Sequence, residues 1–151
     1  MAAELRAAGA ADAERIAEIL LTSRKAFLPY ALSPHSDGEV RTWVRTTLLA
    51  SQAVTVALTE RRIVGVLALA NADGVSWLTQ LYLDPAHVCR GIGSRLLAHA
   101  MATAPRPIRL YCFQQNAGAR RFYERHGFAP IAFTDGNGNE EHCPDVLYEL
   151  A

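Results

Sequence analysis

The residues best suited to chemistry gather around one turn. From Gln80 the chain reads Gln-Leu-Tyr-Leu-Asp-Pro-Ala-His-Val-Cys-Arg-Gly-Ile-Gly-Ser, ending at Ser94. It opens with strand character and breaks at Asp84-Pro85. It restarts at Gly91 with Ile92, Leu96, Leu97, Ala100 and Met101 at helical spacing. A strand feeding a glycine-rich turn that opens a helix collects unpaired backbone N–H groups at one point, and the helix dipole adds partial positive charge there. Gly91 and Gly93 carry no side chain, so a phosphate can approach the backbone closely, and Arg90 and Arg95 flank the turn. The chemistry this favours is the binding of a phosphorylated ligand. Other glycine-rich loops do not fit. There is no Gly-x-x-x-x-Gly-Lys-Ser/Thr run. A dinucleotide fingerprint needs a small residue where Leu96 stands, and an acid about 20 residues on, where Ile108 to Tyr111 supply none. Taken alone, the turn reads equally as a plain strand-to-helix connection whose glycines serve tight packing.

Asn116 and Tyr123 form a second set. Seven positions apart, they are close to two helical turns apart and share one side of a helix. By residue type alone they are also an ordinary N-cap and an ordinary core residue. Cys89, Cys112 and Cys143 are odd in number and widely spaced, which predicts neither a disulfide framework nor a zinc site, and no other metal-ligating constellation is evident.

Charge is zero overall but unevenly distributed. Residues 1–83 balance at eight basic and eight acidic side chains. Residues 84–126 hold seven arginines against Asp84 and Glu124, a net of +5. Residues 127–151 hold Asp135, Glu140, Glu141, Asp145 and Glu149 and no Lys or Arg, a net of −5. A basic segment built around an anion turn fits a polyanionic ligand. The acidic segment fits a cationic one, or a solvated surface. The zero net charge argues against nucleic acid as the main partner. With 151 residues, half of them hydrophobic and a fifth charged, the chain reads as one domain, residues 1–151. No apolar run is long enough to span a membrane, and Met-Ala-Ala-Glu-Leu-Arg lacks signal-peptide architecture, so the expected location is cytoplasmic with no membrane partner.

The elements that must position these residues follow from periodicity. A short strand is expected over Glu4–Ala8. A helix over about 12–27 follows, capped by Asp12 and stopped before Pro29. A loop covers 29–36, and a second helix is capped by Ser36 or Asp37, with Val40, Trp43, Val44 and Leu48 on its buried side. Ala53–Thr59 and Ile63–Ala70 form a hairpin, and Ser76–Asp84 leads into the anion turn and its helix. Ile108–Phe113 is a strand, and Asn116 caps a fourth helix that Gly127 ends. Phe128–Phe133 and Asp145–Leu150 complete the order β-α-α-β-β-β-α-β-α-β-β, a mixed α/β arrangement of one sheet covered by helices.

The run Gln-Leu-Tyr-Leu-Asp-Pro…Arg-Gly-Ile-Gly-Ser-Arg-Leu-Leu, followed by Asn116…Ala119…Phe122-Tyr123…Gly127-Phe128, resembles the GNAT superfamily of acyl-CoA-dependent N-acyltransferases. The resemblance in element order spans nearly the whole chain, and the strong motifs cover about residues 76–133. It implies a mostly antiparallel mixed sheet flanked by about four helices. It also implies that Val88, Cys89, Arg90, Gly91, Ile92, Gly93 and Ser94 hold the pyrophosphate of CoA. Leu81, Tyr82 and Leu83 would pair through their main chain with the pantetheine arm, Asn116 would contact that arm, and Tyr123 would protonate the departing thiolate. Arg120 and Arg121 add to the phosphate side. The chain departs from the family pattern at Val88, where Gln or Arg is usual, and at Cys89, where Gly is common. It departs again at Thr79 and Gln80, where many relatives carry a carboxylate base. The acceptor's proton is then left to water held by backbone carbonyls, or to His35, Glu140, Glu141 or His142.

The expected reaction is direct attack of a primary amine on acetyl-CoA in a ternary complex, without a metal. The substrate residues are expected among Pro29, Tyr30, Pro34, His35, Trp43, Asn139, Glu140, Glu141 and His142. The alternative is an acyl-CoA-binding sensor or interaction module without turnover. Action on charged tRNA is disfavoured by the zero net charge. A homodimer is compatible with the resemblance.

Overall fold

A computed structural model describes residues 2–151. Strand β1 (Glu4–Ala7) is followed by a 3-10 turn (Ala10–Asp12) that runs into α1 (Ala13–Phe27). Helix α2 (Asp37–Trp43) continues through a π-helical turn (Val44–Leu48) and a last α turn (Leu49–Ser51). Then come β2 (Ala53–Thr59), β3 (Arg62–Ala72), β4 (Val75–Leu83), a 3-10 turn (Pro85–His87) and α3 (Ile92–Thr103). Strand β5 (Ile108–Phe113), α4 (Ala117–Arg125), β6 (Ala129–Phe133) and β7 (Asp145–Leu150) complete the chain. This is the expected order. The strands form one seven-stranded sheet, β1-β2-β3-β4-β5-β7-β6, antiparallel at every pairing except β4 with β5.

The helices cover the two faces of the sheet because the strands alternate. Val54, Val56, Ile63, Val66 and Ala68 pack under Ile16, Ile19 and Leu20 of α1 and under Val44 and Leu48 of α2. Ala57, Val64 and Leu67 face the other way, onto Ile92, Leu96, Leu97 and Ala100 of α3 and Tyr123 of α4. Residues such as Ile16, Ile19, Leu96 and Leu97 are fully buried, each worth roughly 1.5–3 kcal/mol of apolar burial.

Two local expectations are corrected. Asp12 stands at the N-cap position of α1, but its side chain makes no capping bond to that helix. The helical path begins at Ala10 behind an extended Gly9, and the Asp12 carboxylate reaches back to accept the Gly9 N–H at 2.8 Å and to pair with Arg6 at 2.8 Å. The Arg6 guanidinium, more than any other group, holds that carboxyl below the usual carboxylate range. The β3–β4 turn is also tighter than Asn71–Gly74. Asp73 (φ +52°) and Gly74 (φ +77°) make a two-residue turn, so β3 extends to Ala72. Ser36 caps α2 as one of the two expected residues. Its hydroxyl accepts the Glu39 N–H at 3.1 Å while Glu39 answers the Ser36 N–H at 2.9 Å.

Candidate active site

The site is made where β4 and β5 part. They pair only at Ser76↔Ile108 and Trp77↔Arg109. Ser76 pins their starts together, its N–H donating to Pro107 O at 3.0 Å and its hydroxyl to Pro105 O at 2.6 Å. Beyond that point β4 stays with β3 and β5 stays with β7. The β3–β4 register slips between Ala68/Leu69, leaving Thr79 as the extra residue of a bulge. A bulge bends its strand, and here it lies where β4 turns away from β5. The β5-facing main chain of Leu81, Tyr82 and Leu83 is therefore free of a strand partner, an open edge that an extended amide-bearing chain can join as an added strand.

The strand ends in the glycine-rich turn that the sequence singles out. Asp84 accepts the Ala86 N–H at 3.0 Å and pairs with Arg15 of α1 at 2.7 Å, and Arg15 also donates to Ile63 O at 2.9 Å. This holds the start of the turn against the sheet. The hydrogen bond from Ala86, then Arg15, holds the Asp84 carboxyl below its ordinary range. The first bond inside α3 runs from Arg95 N–H to Gly91 O at 3.1 Å, so the N–H groups of Ile92, Gly93 and Ser94 have no intrahelical acceptor. Gly91 takes φ +80° with nothing near its missing side chain, so conformation demands glycine there. Gly93 differs. A Cβ on it would sit 3.6 Å from Phe122 and 3.7 Å from Leu83, ordinary contact distances. Cys89 stands at φ +61°, which is the physical reason a glycine suits that position. Arg90 and Arg95 are exposed and form no ion pair among the described residues. Arg120 already has partners. Its Nε donates to the Tyr148 hydroxyl at 3.0 Å and its guanidinium lies 5.5 Å from the Phe133 ring centre.

Between the parted strands lie two cavities that share a wall of Thr79, Tyr82, Tyr111, Cys112 and Phe113. The smaller, about 120 Å³, adds Leu81, Asn116 and Tyr123 to that wall. Asn116 caps α4, its side-chain oxygen accepting the Ala119 N–H at 3.2 Å, so the cap and the cavity wall are one residue. Tyr123 is wedged against Phe122, Phe128 and Tyr148 with ring centres 5.3 to 6.3 Å away. Its hydroxyl makes no hydrogen bond among the described residues. Burial first, then Cys112 and Tyr82, pushes this phenol well above its ordinary value. Burial likewise pushes the Cys112 thiol from 9.0 to about 11.

The larger cavity, about 480 Å³, adds Arg24, Gln80, Thr134, Asn139, Glu141 and Asp145. The two loops meet beside it, but most of the expected substrate residues do not line this cavity. His35 and Glu140 bond each other at 3.0 Å on the exposed rim, and His142 is exposed. Tyr30 packs beneath the wall, edge-on to Phe113 at 6.3 Å. Trp43 packs against the core under α2, on the sheet face that α1 and α2 cover. Only Glu141 and Asn139 of that set line the cavity, and Glu141 is paired with Arg24 at 3.1 Å. Tyr82, read for its main chain, also contributes its side chain, whose oxygen accepts from Arg24 at 3.4 Å. Arg24, Cys112 and Asp145 were not anticipated. Asp145 opens β7 opposite Phe113, so its place is set by strand register rather than by any local motif. The loop before it doubles back tightly. A Cβ on Gly136 (φ +86°) would fall 2.5 Å from the Cys143 carbonyl carbon.

Comparison with known proteins fits this geometry. The model of the acetyltransferase (GNAT) family matches residues 16–128. No curated protein matches the sequence. Among solved structures, the fold superposes on the PaiA N-acetyltransferase of Thermoplasma acidophilum in complex with coenzyme A. The TM-score is 0.76 at 23% identity, over 99% of this chain and 98% of that one. YjaB of Escherichia coli, in its apo form, gives 0.76 at 22% identity over 99% and 97%. YncA of Salmonella typhimurium, solved with its cofactor acetyl-CoA, gives 0.73 at 20% identity over 99% and 94%. At such identities the likeness to these structures is one of fold.

Proposed function

We propose that this chain, which belongs to the GNAT acetyltransferase family and is an acyltransferase, moves an acetyl group from acetyl-CoA to a primary amine by direct attack in a ternary complex. The observation that carries this reading is the pair of cavities joined at the parted strands. One holds Tyr123 and Asn116, the other the charged groups of Arg24, Glu141 and Asp145. A binding module needs the first cavity alone, whereas transfer needs a second entrance for an acceptor.

The chain fits the proposed co-substrate on two counts. The free N–H groups of Ile92, Gly93 and Ser94, with Gly91 leaving space and Arg90 and Arg95 nearby, suit a pyrophosphate. The open edge of Leu81, Tyr82 and Leu83 suits the amides of a pantetheine arm. Acetyl-CoA would supply the thioester that an amine can attack. Tyr123 then delivers the proton to the leaving sulfur from its buried place on the wall of the smaller cavity. Val88 contributes no charge, so the phosphate side rests on backbone donors and on the exposed arginines. Thr79 on the shared wall and Gln80 next to it in the larger cavity carry no charge, so the acceptor's proton leaves through water.

The test is acetyl-CoA-dependent thiol release across polyamines, amino acids, aminoglycosides and short peptides, beside matched Tyr123→Phe protein. Amine-dependent release that collapses in the variant supports the reading. Acetyl-CoA binding without release for any amine removes it in favour of a sensor.

A further inference from the structure

The larger cavity has one charge without a partner. Arg24 already has an anionic partner: it donates to Tyr82 Oη at 3.4 Å, to Ala31 O at 3.3 Å and to Glu141 at 3.1 Å. Its charge is therefore set against that of Glu141. Asp145 is different. It is 6% exposed, and its carboxylate accepts from the Thr134 hydroxyl and from Asn139 Nδ2 at 3.1 Å, both neutral donors. No Lys, Arg or His nitrogen among the described residues pairs with it. A buried carboxylate without a counter-ion is costly to keep, and a cationic ligand relieves that cost. The remaining walls agree. Tyr82, Tyr111 and Phe113 are aromatic and carry no positive charge, and Gln80 and Thr79 are neutral.

The position of Asp145 says which cation. It lines the larger cavity but not the smaller one, and it is absent from the wall the two share. The reacting nitrogen must sit at the shared wall, next to Tyr123. A carboxylate touching that nitrogen would hold its proton and slow attack. Asp145 instead stands one strand over from Phe113 of that wall, on the side of the larger cavity, where it meets a second positive group on the same molecule. Resting on the amine-acetylation reading above, we infer that Asp145 is a specificity-determining residue and selects a small acceptor carrying two basic nitrogens, one reacting at the shared wall and one paired with Asp145.

Three acceptors of equal length separate the possibilities: diaminobutane with an amine at each end, butylamine, and aminobutanoate with its amine and carboxylate at opposite ends. With acetyl-CoA saturating, kcat/KM for the diamine should exceed that for butylamine by about 30-fold or more, as a desolvated charge pair requires, with aminobutanoate lowest. Asp145→Asn should bring diamine and butylamine to within about threefold of each other. Equal values for diamine and butylamine in the unaltered protein overturn the inference, as does an Asp145→Asn protein that keeps the full preference. If Asp145→Asn fails to fold, the three-acceptor series on the unaltered protein decides alone. If no amine is acetylated, the transfer reading fails separately. Calorimetric titration of diaminobutane and butylamine into the CoA-loaded protein then decides: tighter binding of the diamine upholds the role of Asp145, and equal or absent binding overturns it.

Discussion

Removing one oxygen from Tyr123 should separate catalysis from folding and binding. In Tyr123→Phe the ring keeps its packing against Phe122, Phe128 and Tyr148. The lost hydroxyl has no hydrogen-bond partner among the described residues, so its removal strands no buried group, and stability should change by less than about 1 kcal/mol. Acetyl-CoA affinity should stay within about threefold, because the anion turn and the β4 edge are untouched. Turnover should fall about 10²–10⁴-fold, the usual worth of a placed general acid and equal to roughly 3–5 kcal/mol in barrier. Burial makes Tyr123 a weaker acid than a phenol in water, which argues against the role if the leaving group is taken at its aqueous value. The same desolvation acts on a thiol, however, and Cys112 on the shared wall serves as a local gauge, raised from 9.0 to about 11. A thiolate released there is more basic by the same cause, which preserves a workable match between donor and acceptor. Because burial also keeps the phenol protonated, the pH–rate profile should show no fall due to Tyr123 below pH about 10. The assay is thiol release at saturating acetyl-CoA and amine, beside calorimetry and urea unfolding. A loss of kcat below about tenfold with binding intact would refute the assignment.

Asp84→Ala should loosen the anion turn, costing about 1–2 kcal/mol in urea unfolding and weakening acetyl-CoA several-fold by calorimetry, since it removes both the Ala86 cap and the Arg15 tie. The Asp84 carboxyl is held below its ordinary range, so its contribution is present above that range and is lost as pH falls through the depressed value. The unaltered protein should therefore lose stability more steeply than Asp84→Ala as the pH falls below about 4. Cys89→Gly relieves a left-handed residue while adding freedom to the unfolded chain, for a net gain of about 0.5–1 kcal/mol, read as a higher urea midpoint. Cys89→Val should lower it. The Cys112 thiol is raised from 9.0 to about 11, so its stabilisation is full below pH about 9 and is lost as pH rises toward 11, roughly 2–3 kcal/mol in all. Cys112→Ala should flatten the fall in urea midpoint between pH about 9 and 10, where the tyrosines contribute least. An unchanged slope would show that the thiol ionises freely.

What was legible in the sequence was whatever repeats locally. Alternation in Ala53–Thr59 and Ile108–Phe113, helical spacing from Ile92, and the cap residues Ser36 and Asn116 each act within a few positions, and the structure places strands and helices there. The anion turn was legible for the same reason. The larger cavity was not, because Arg24 of α1, Cys112 of β5 and Asp145 of β7 meet only through the tertiary fold. Loop polarity misled in a specific way. His35 and Glu140 are polar, exposed and near the cavity, but they satisfy each other across two loops. Asp145 looked like the polar start of a strand, and nothing local reveals that the register sets it opposite Phe113.

The missing strand carboxylate at Thr79 and Gln80 and the unpaired carboxylate at Asp145 belong to one electrostatic argument. An alkylammonium is about one part in 2,500 neutral at pH 7, a handicap of roughly 4–5 kcal/mol before attack. A carboxylate about 4 Å from the reacting nitrogen would add roughly 4 kcal/mol to that handicap at an effective dielectric of about 20, unless it also removed the proton. Doubling the distance to about 8 Å halves the term while leaving most of the attraction for a second cation in direct contact. A cavity that is neutral at the shared wall and negative in its outer part therefore recruits a cationic acceptor without burdening the nitrogen that must lose its proton. The parting of β4 and β5 makes this separation possible. It opens a gap with one wall on β4, where Thr79 and Gln80 stand, and the other on β5 and β7, where Asp145 stands. Moving the charge back onto β4, as in Gln80→Glu, should then raise affinity for monoamines but lower kcat near neutral pH. A rise in kcat would mean that the strand carboxylate acts as a base and that the neutral wall is not an adaptation to proton loss.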